Sequence, residues 1–290
     1  MTIGFQGEYA PGAARRLAHD LPSARRFGAA DRVAARVAVI DRMNDTEDPE
    51  DFDPVLLDRV GRASGRVVFI VNGRAAPAVP DDVLCVGYKP GGPEPRPPNL
   101  LWGLDYAPVD GDVMGAAPMP AREAGRALVA LGGAPDDTAT RLAIDAIAGI
   151  ARIVHVDLLA SPVAGAATDD LPVGRGQSIE RHVNLPSVAP LLRRAGIVVA
   201  SYGHLAYEAI AAGAPVCLLG QKRFQADYAV HLERMGLAVV AGLAGEVDAA
   251  GLRHAIERTL DQAAALSARG PAAVDGGGIR RLADLILGAA

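Results

Sequence analysis

The stretch from Ile197 to Gly242 restricts the chain to one kind of fold. An apolar run, Ile197–Ala200, ends in a small polar turn of Ser201, Tyr202 and Gly203. A helical pattern opens at once with His204 and carries Glu208 one turn in. A second apolar run, Pro215–Leu219, leads through a polar loop with Gln225 into an amphipathic helix that reaches Met235. Strands without polar alternation belong to parallel sheets covered by helices, so the stretch reads as a βαβα unit. In such a sheet the ligand edge lies at the carboxyl ends of the strands. Backbone N–H groups at the helix start after Ser201–Gly203 favour an anion there, above all a pyrophosphate.

Short apolar runs recur elsewhere, at Ile3–Phe5, Arg36–Ile40, Arg66–Val71, Val83–Val86, Leu100–Trp102, Ala127–Leu131, Ile153–Val156 and Ala238–Val240, with helical patterns between many of them. That alternation predicts an α/β fold of parallel sheets. Pro and Gly concentrate in Lys89–Asn99 and again in Leu104–Arg122. The second cluster is the better linker. The expected organisation is a small Rossmann-like domain over residues 1–106, a linker over 107–122 and a second Rossmann-like domain over 123–290. Pro162–Gln177, rich in Gly and Ala, reads as a loop, Leu252–Leu266 as a surface helix, and Ile279–Leu287 as a last helix that reaches back to the first domain.

With 290 residues, half of them hydrophobic, each domain can bury its own core. The net charge is −5, and the basic residues fall in scattered pairs with no interleaved aromatics, which argues against a nucleic-acid groove. Cys85 and Cys217 both sit inside apolar runs, where a thiol packs as a small hydrophobe; no metal ligand set stands out. The first residues lack a basic start and a long apolar run, and no apolar stretch reaches spanning length, so the expectation is a cytoplasmic protein without a membrane span.

The candidate ligand residues cluster in the second half. Gly132-Gly133 follows a strand and precedes a helix capped by Asp136 or Asp137, so backbone there can approach a phosphate or sugar closely; a plain tight turn fits the same residues. His204 either supplements the helix dipole against a diphosphate or is a partly exposed residue near the cap. The Glu208 carboxylate either accepts both hydroxyls of a ribose or sits on the surface of the first helical turn. His182 and Asn184 precede Pro186 where a strand end runs into a short helix. In the first half, Glu8, His19 and Asp41 are the candidates for a general base, and no spacing decides between them. Serine-hydrolase, zinc and P-loop patterns are absent.

The segments LLWGLDY (Leu100–Tyr106), LVALGGAPD (Leu128–Asp136), HVNLPSVAPLLRRA (His182–Ala195) and Ser201–Leu237 resemble the two-domain GT-B superfamily. The resemblance is nearest to the UDP-sugar hydrolases of pseudaminic acid biosynthesis and to spore-coat polysaccharide proteins. At greater distance the chain is similar to the N-acetylglucosaminyltransferase that makes lipid II. The resemblance implies two Rossmann-like domains facing a cleft, the first one reduced. It implies that Ser201, Tyr202, Gly203, His204 and Glu208 hold a nucleoside diphosphate and its ribose, that Gln225 touches sugar or nucleotide, and that Gly132-Gly133 lines the cleft. The first loop, GFQGEYAPGAARR, has no histidine where the hydrolases carry Gly-x-Gly-His-x-x-Arg. The expected activity is metal-independent transfer of a glycosyl group from a nucleoside diphosphate sugar to a small acceptor, with no cofactor. The alternatives are hydrolysis of that sugar nucleotide and a non-catalytic binding subunit; a homodimer or partner subunit is compatible with each.

Overall fold

The computed structural model describes residues 2–5, 25–27, 35–41, 64–71, 79–114, 121–131, 137–160, 171 and 174–288. The chain forms two compact units, residues 1–108 together with 277–290, and residues 109–276. The last helix therefore groups with the first unit, and residues 109–122 group with the second.

In the first unit, β1 (Thr2–Phe5), β2 (Arg25–Phe27), β3 (Ala35–Asp41), β4 (Ser64–Val71), β5 (Leu84–Gly87) and β6 (Leu100–Trp102) make one sheet in the order β2-β1-β3-β4-β5-β6. Every pairing is parallel. Val67, Phe69, Val71, Cys85, Leu100 and Trp102 form its core. Trp102 lies so close over Gly87 that a Cβ there would stand 2.2 Å from the indole, while the ring Nε1 donates to the Lys89 carbonyl at 2.7 Å. A glycine and a tryptophan thus act as one packing unit, the small residue making room for the large one.

The second unit repeats the plan. Its strands are β7 (Glu123–Ala130), β8 (His155–Ala160), β9 (Ser178–Val183), β10 (Ala195–Ala200), β11 (Val216–Gly220) and β12 (Val239–Leu243), all parallel, in the order β12-β11-β10-β7-β8-β9. The helices are α1 (Gly111–Met114), α2 (Asp137–Ala148), α3 (Ala189–Arg194), α4 (His204–Ala211), α5 (Arg223–Arg234), α6 (Ala249–Asp261) and α7 (Ala263–Ala273). One sheet face, through Ala127, Val129, Leu158, Ile197, Val199, Cys217 and Leu219, packs against Ala143, Ile144 and Ile147 of α2 and Leu252 and Ile256 of α6. The tail segment expected as a surface helix is two helices, and α6 buries Leu252, Ala255, Ile256 and Thr259. Its i, i+3, i+4 and i+7 spacing is the amphipathic stripe that a core-facing helix needs.

The strand order identifies where each sheet can receive a ligand. In the second unit β7, β8 and β9 step outward in one direction, and β10 returns to the other side of β7. A reversal of this kind is where open parallel α/β sheets receive ligands, at the carboxyl ends of the strands. In the first unit the corresponding reversal lies between β1 and β3.

Candidate functional site

Ala130 and Ala200 are register partners at the carboxyl ends of β7 and β10, so Leu131 and Ser201 are the first residues beyond the strands at the switch point. Ser201 is buried, and its hydroxyl donates to the Leu219 carbonyl at 2.9 Å. The same hydroxyl accepts from Gln221 Nε2 at 2.9 Å, and that Nε2 also donates to the Leu131 carbonyl. One side-chain amide therefore ties together the ends of three strands, β7, β10 and β11. The turn it holds passes through Gly203, which stands in extended geometry as the N-cap of α4. A glycine cap supplies no side-chain oxygen to the first turn, so the dipole end of α4 is not answered by a capping side chain.

A second layer fixes the turn from below. Gln225 Oε1 accepts from the backbone N–H groups of Gln221 at 2.9 Å and Lys222 at 3.1 Å, and its Nε2 donates to the Tyr202 carbonyl at 3.3 Å. Tyr202 stacks on Tyr228 with ring centroids 5.2 Å apart, and its hydroxyl shares a hydrogen bond with that of Tyr207. Burial pushes the Tyr207 phenol up, so it stays protonated as a partner for Tyr202. Arg122, just before β7, donates to the carbonyls of Leu192 at 2.8 Å, Ala195 at 3.0 Å and Ala212, and so caps α3 and the end of α4.

Several expected ligand residues have other neighbours. Tyr202 is 5 % exposed and stacked internally, so only its backbone faces the turn. The Gln225 amide is spent on backbone groups of its own loop and of Tyr202, where the resemblance implied a contact to sugar or nucleotide. Glu208 is 3 % exposed, on the buried side of α4, and not a surface residue. His204 is half-buried at the helix start. Asn184 is exposed immediately after β9 and adopts φ 54°, a left-handed conformation that Asn tolerates better than most residues. Asp41 ends β3 beside Phe5 of β1, at the switch point of the first sheet. Glu8, His19, Gly132 and Gly133 lie outside the described residues.

His182 is drawn into a different constellation. Its Nε2 is bonded to Asp157 Oδ1 at 2.8 Å, and the fully buried Asp157 carboxylate is also held by Arg126 at 2.9 Å and Arg194 at 2.9 Å. Burial alone pushes this carboxyl up, but hydrogen bonds from Arg126 and His182 and the charge of Arg194 outweigh it and hold the group below the usual carboxylate range. Sequence reasoning missed Gln221, Arg122 and Asp157. Gln221 had a signal, a polar side chain immediately after an apolar strand; Asp157, inside an apolar run, had only its own polarity.

No family model matches this chain, and neither does any curated protein. Solved structures do. MurG of Acinetobacter baumannii superposes with a TM-score of 0.65 at 11 % identity, covering 99 % of this chain and 98 % of that one. A glycosyltransferase from Rickettsia africae ESF-5 gives 0.59 at 8 % identity, covering 99 % and 98 %. The spinosyn rhamnosyltransferase SpnG complexed with thymidine diphosphate gives 0.55 at 17 % identity, covering 83 % and 69 %. The fold is therefore the GT-B type, α/β with two Rossmann-like sheets. These neighbours, MurG among them, share the fold that the resemblance implied, and they give no support to the nearer resemblance to hydrolases and spore-coat proteins. Among the described residues no helix is long and apolar enough to cross a membrane.

Proposed function

We propose that this chain is a glycosyltransferase that moves a glycosyl group from a nucleoside diphosphate sugar to a small acceptor. The observation that carries this reading is the switch point of the second sheet. There a glycine-capped helix start and the end of β7 are pinned together by Gln221 and Ser201, on a fold shared with glycosyltransferases, one of them complexed with a nucleoside diphosphate.

In this reading the diphosphate lies against the Ser201–His204 turn, where helix-end amides stabilise the charge that the leaving group gains as the glycosidic bond breaks. The backbone does that work without a metal. Because Ser201 and Gln221 already satisfy each other, the turn is preorganised and pays little to reorganise during the reaction. The Glu208 carboxylate accepts the ribose hydroxyls, and Gly132, Gly133 and Asn184 take part in donor binding. A carboxylate of the first unit, Asp41 at its own switch point or Glu8, takes the acceptor proton. His204 acts as a donor to the phosphates. The chain works without a bound cofactor, as a cytoplasmic enzyme alone or as a homodimer.

One observation favours a second reading, a binding subunit without turnover: the loop after the first strand contains no histidine. A thermal-shift series with UDP, TDP, GDP and ADP tests the shared part of both readings. A ligand that binds only the native state raises the melting temperature by mass action, by about 2.7 kcal/mol of stabilisation at a hundredfold excess over Kd. Release of nucleoside diphosphate from the matching sugar nucleotide, with and without acceptors, then separates transfer from hydrolysis and from binding alone. No shift with any nucleoside diphosphate would overturn the assignment.

A further inference from the structure

We propose that Tyr207 is a positioning residue for the diphosphate. Acting through Tyr202, its hydroxyl holds the Ser201–Gly203 turn in the one shape that grips two linked phosphates, and so sets a preference for a nucleoside diphosphate over the monophosphate. This inference rests on the donor binding of the proposed function, which puts the phosphates at that turn.

Gly203 is the N-cap of α4, so Tyr202 stands one position before the cap and Tyr207 at the fourth position of the helix. Apolar side chains at those two positions pack together and fix the angle at which a chain enters its helix. Here the pair is aromatic, with ring centroids 5.8 Å apart and planes at 73°, the edge-to-face arrangement that ring quadrupoles favour. Tyr228 of α5 stacks on the same Tyr202 ring, 5.2 Å away and inclined by 13°. All three rings are buried. Three of the chain's six tyrosines thus meet beneath one turn, each from a different element. Phenylalanines would fill the same space with no hydroxyls to satisfy, so what the tyrosines add is direction and not burial.

Packing alone lets a ring slide or turn in its slot. The hydrogen bond between the Tyr202 and Tyr207 hydroxyls fixes the far end of the Tyr202 side chain as well, and it gives each buried hydroxyl the partner without which burial would be costly. The backbone contact to Tyr202 is weaker. Its carbonyl accepts from Gln225 Nε2 at 3.3 Å, beyond the usual range of about 2.7–3.2 Å. The outer side of the turn adds no support, because among the described residues a Cβ on Gly203 would meet nothing within 4 Å. The ring of Tyr202 is therefore the handle by which the interior of the unit sets the shape of the turn. Two linked phosphates meet the turn at two points whose spacing is fixed, so they depend on that shape. A single phosphate shifts to follow a displaced turn and depends on it less.

Of UDP, TDP, GDP and ADP, the one that raises the melting temperature most is titrated calorimetrically into the full chain, with its monophosphate alongside. Tyr207→Phe deletes one oxygen and keeps the ring; it should weaken the diphosphate about fivefold and the monophosphate less than about twofold. A merely structural role would leave the ratio of the two affinities unchanged. Tyr202→Phe removes the other half of the same bond and should change the ratio equally, so it carries the test alone if Tyr207→Phe does not fold. The double variant should be no weaker than either single one, since groups that act through one bond are not additive. An unchanged ratio, or losses that add in the double variant, would overturn the inference and leave the donor site standing. No binding of any of the four diphosphates by the unsubstituted chain would remove the donor site and the inference together.

Discussion

Two side chains decide whether the second unit holds its shape at neutral pH and whether its ligand turn is ready. Asp157 is fully buried among Arg126, Arg194 and His182, and its folded value lies below that of the unfolded chain. A depressed carboxyl contributes stability that is present above the unfolded value of about 3.9 and is lost as the pH falls through the folded one. Melting temperatures measured between pH 3 and 7 should therefore fall on the acid side of about pH 4. Asp157→Asn should flatten that limb and cost about 1.5–3 kcal/mol at neutral pH, because it removes the charged acceptor shared by Arg126, Arg194 and His182. Gln221 is the second case. Gln221→Ala removes the bonds that join Leu131 and Ser201, and the affinity for nucleoside diphosphate should drop about tenfold, or about 1.4 kcal/mol, while far-UV circular dichroism stays unchanged. Isothermal titration with the diphosphate identified by thermal shift checks it. An unchanged affinity would mean that the turn keeps its geometry without the glutamine.

At the scale of elements, Arg122 is the joint between strands and helices. It caps carbonyls at the ends of α3 and α4, although burial lowers its own pKa. Arg122→Ala leaves those carbonyls short of a charged donor, a loss of about 1.5–3 kcal/mol, and chemical denaturation should show it as a lower midpoint with an unchanged slope. On β11, an interior strand, burial pushes the Cys217 thiol up to about 12, and burial pushes Cys85 on β5 up to about 11. Neither should react with a disulfide reagent in the native chain, and both should react in denaturant. The elements that could be read from the sequence were those with a period. β10, α4, β11 and α5 were legible because unbroken apolar runs and an amphipathic helix leave one arrangement. β9 was harder to see: its SIERHV sequence is an exposed edge strand, and polar residues facing solvent leave no apolar signature. The site was half legible for a related reason. Ser201, Gly203 and His204 follow from the strand–turn–helix pattern, but the spatial neighbours Gln221 and Leu131 are 20 and 90 residues away from their partners, and no local pattern encodes that contact.

At the scale of the molecule, the chain crosses from the first unit to the second and comes back, because the helix α8 (Gly278–Leu287) belongs with residues 1–108. Its buried stripe is Gly278, Ile279, Leu282 and Ile286. Gly278 comes so near that a Cβ would meet the Ala107 carbonyl at 2.1 Å, and Arg281 donates to the Asp105 carbonyl at 3.0 Å. Burying three large aliphatic side chains is worth about 1.5–3 kcal/mol each, so α8 supplies on the order of 5–9 kcal/mol to a unit whose whole stability falls in the range of about 5–15 kcal/mol. The second unit has its own core from β7 to α7. Ending the chain after Gly276 should therefore unfold the first unit selectively. Calorimetry should show the loss of one transition, with the other retained and still raised by nucleoside diphosphate. A single transition in both the full and the shortened chain, displaced as a whole, would mean that the two cores melt as one cooperative body and that α8 stabilises both.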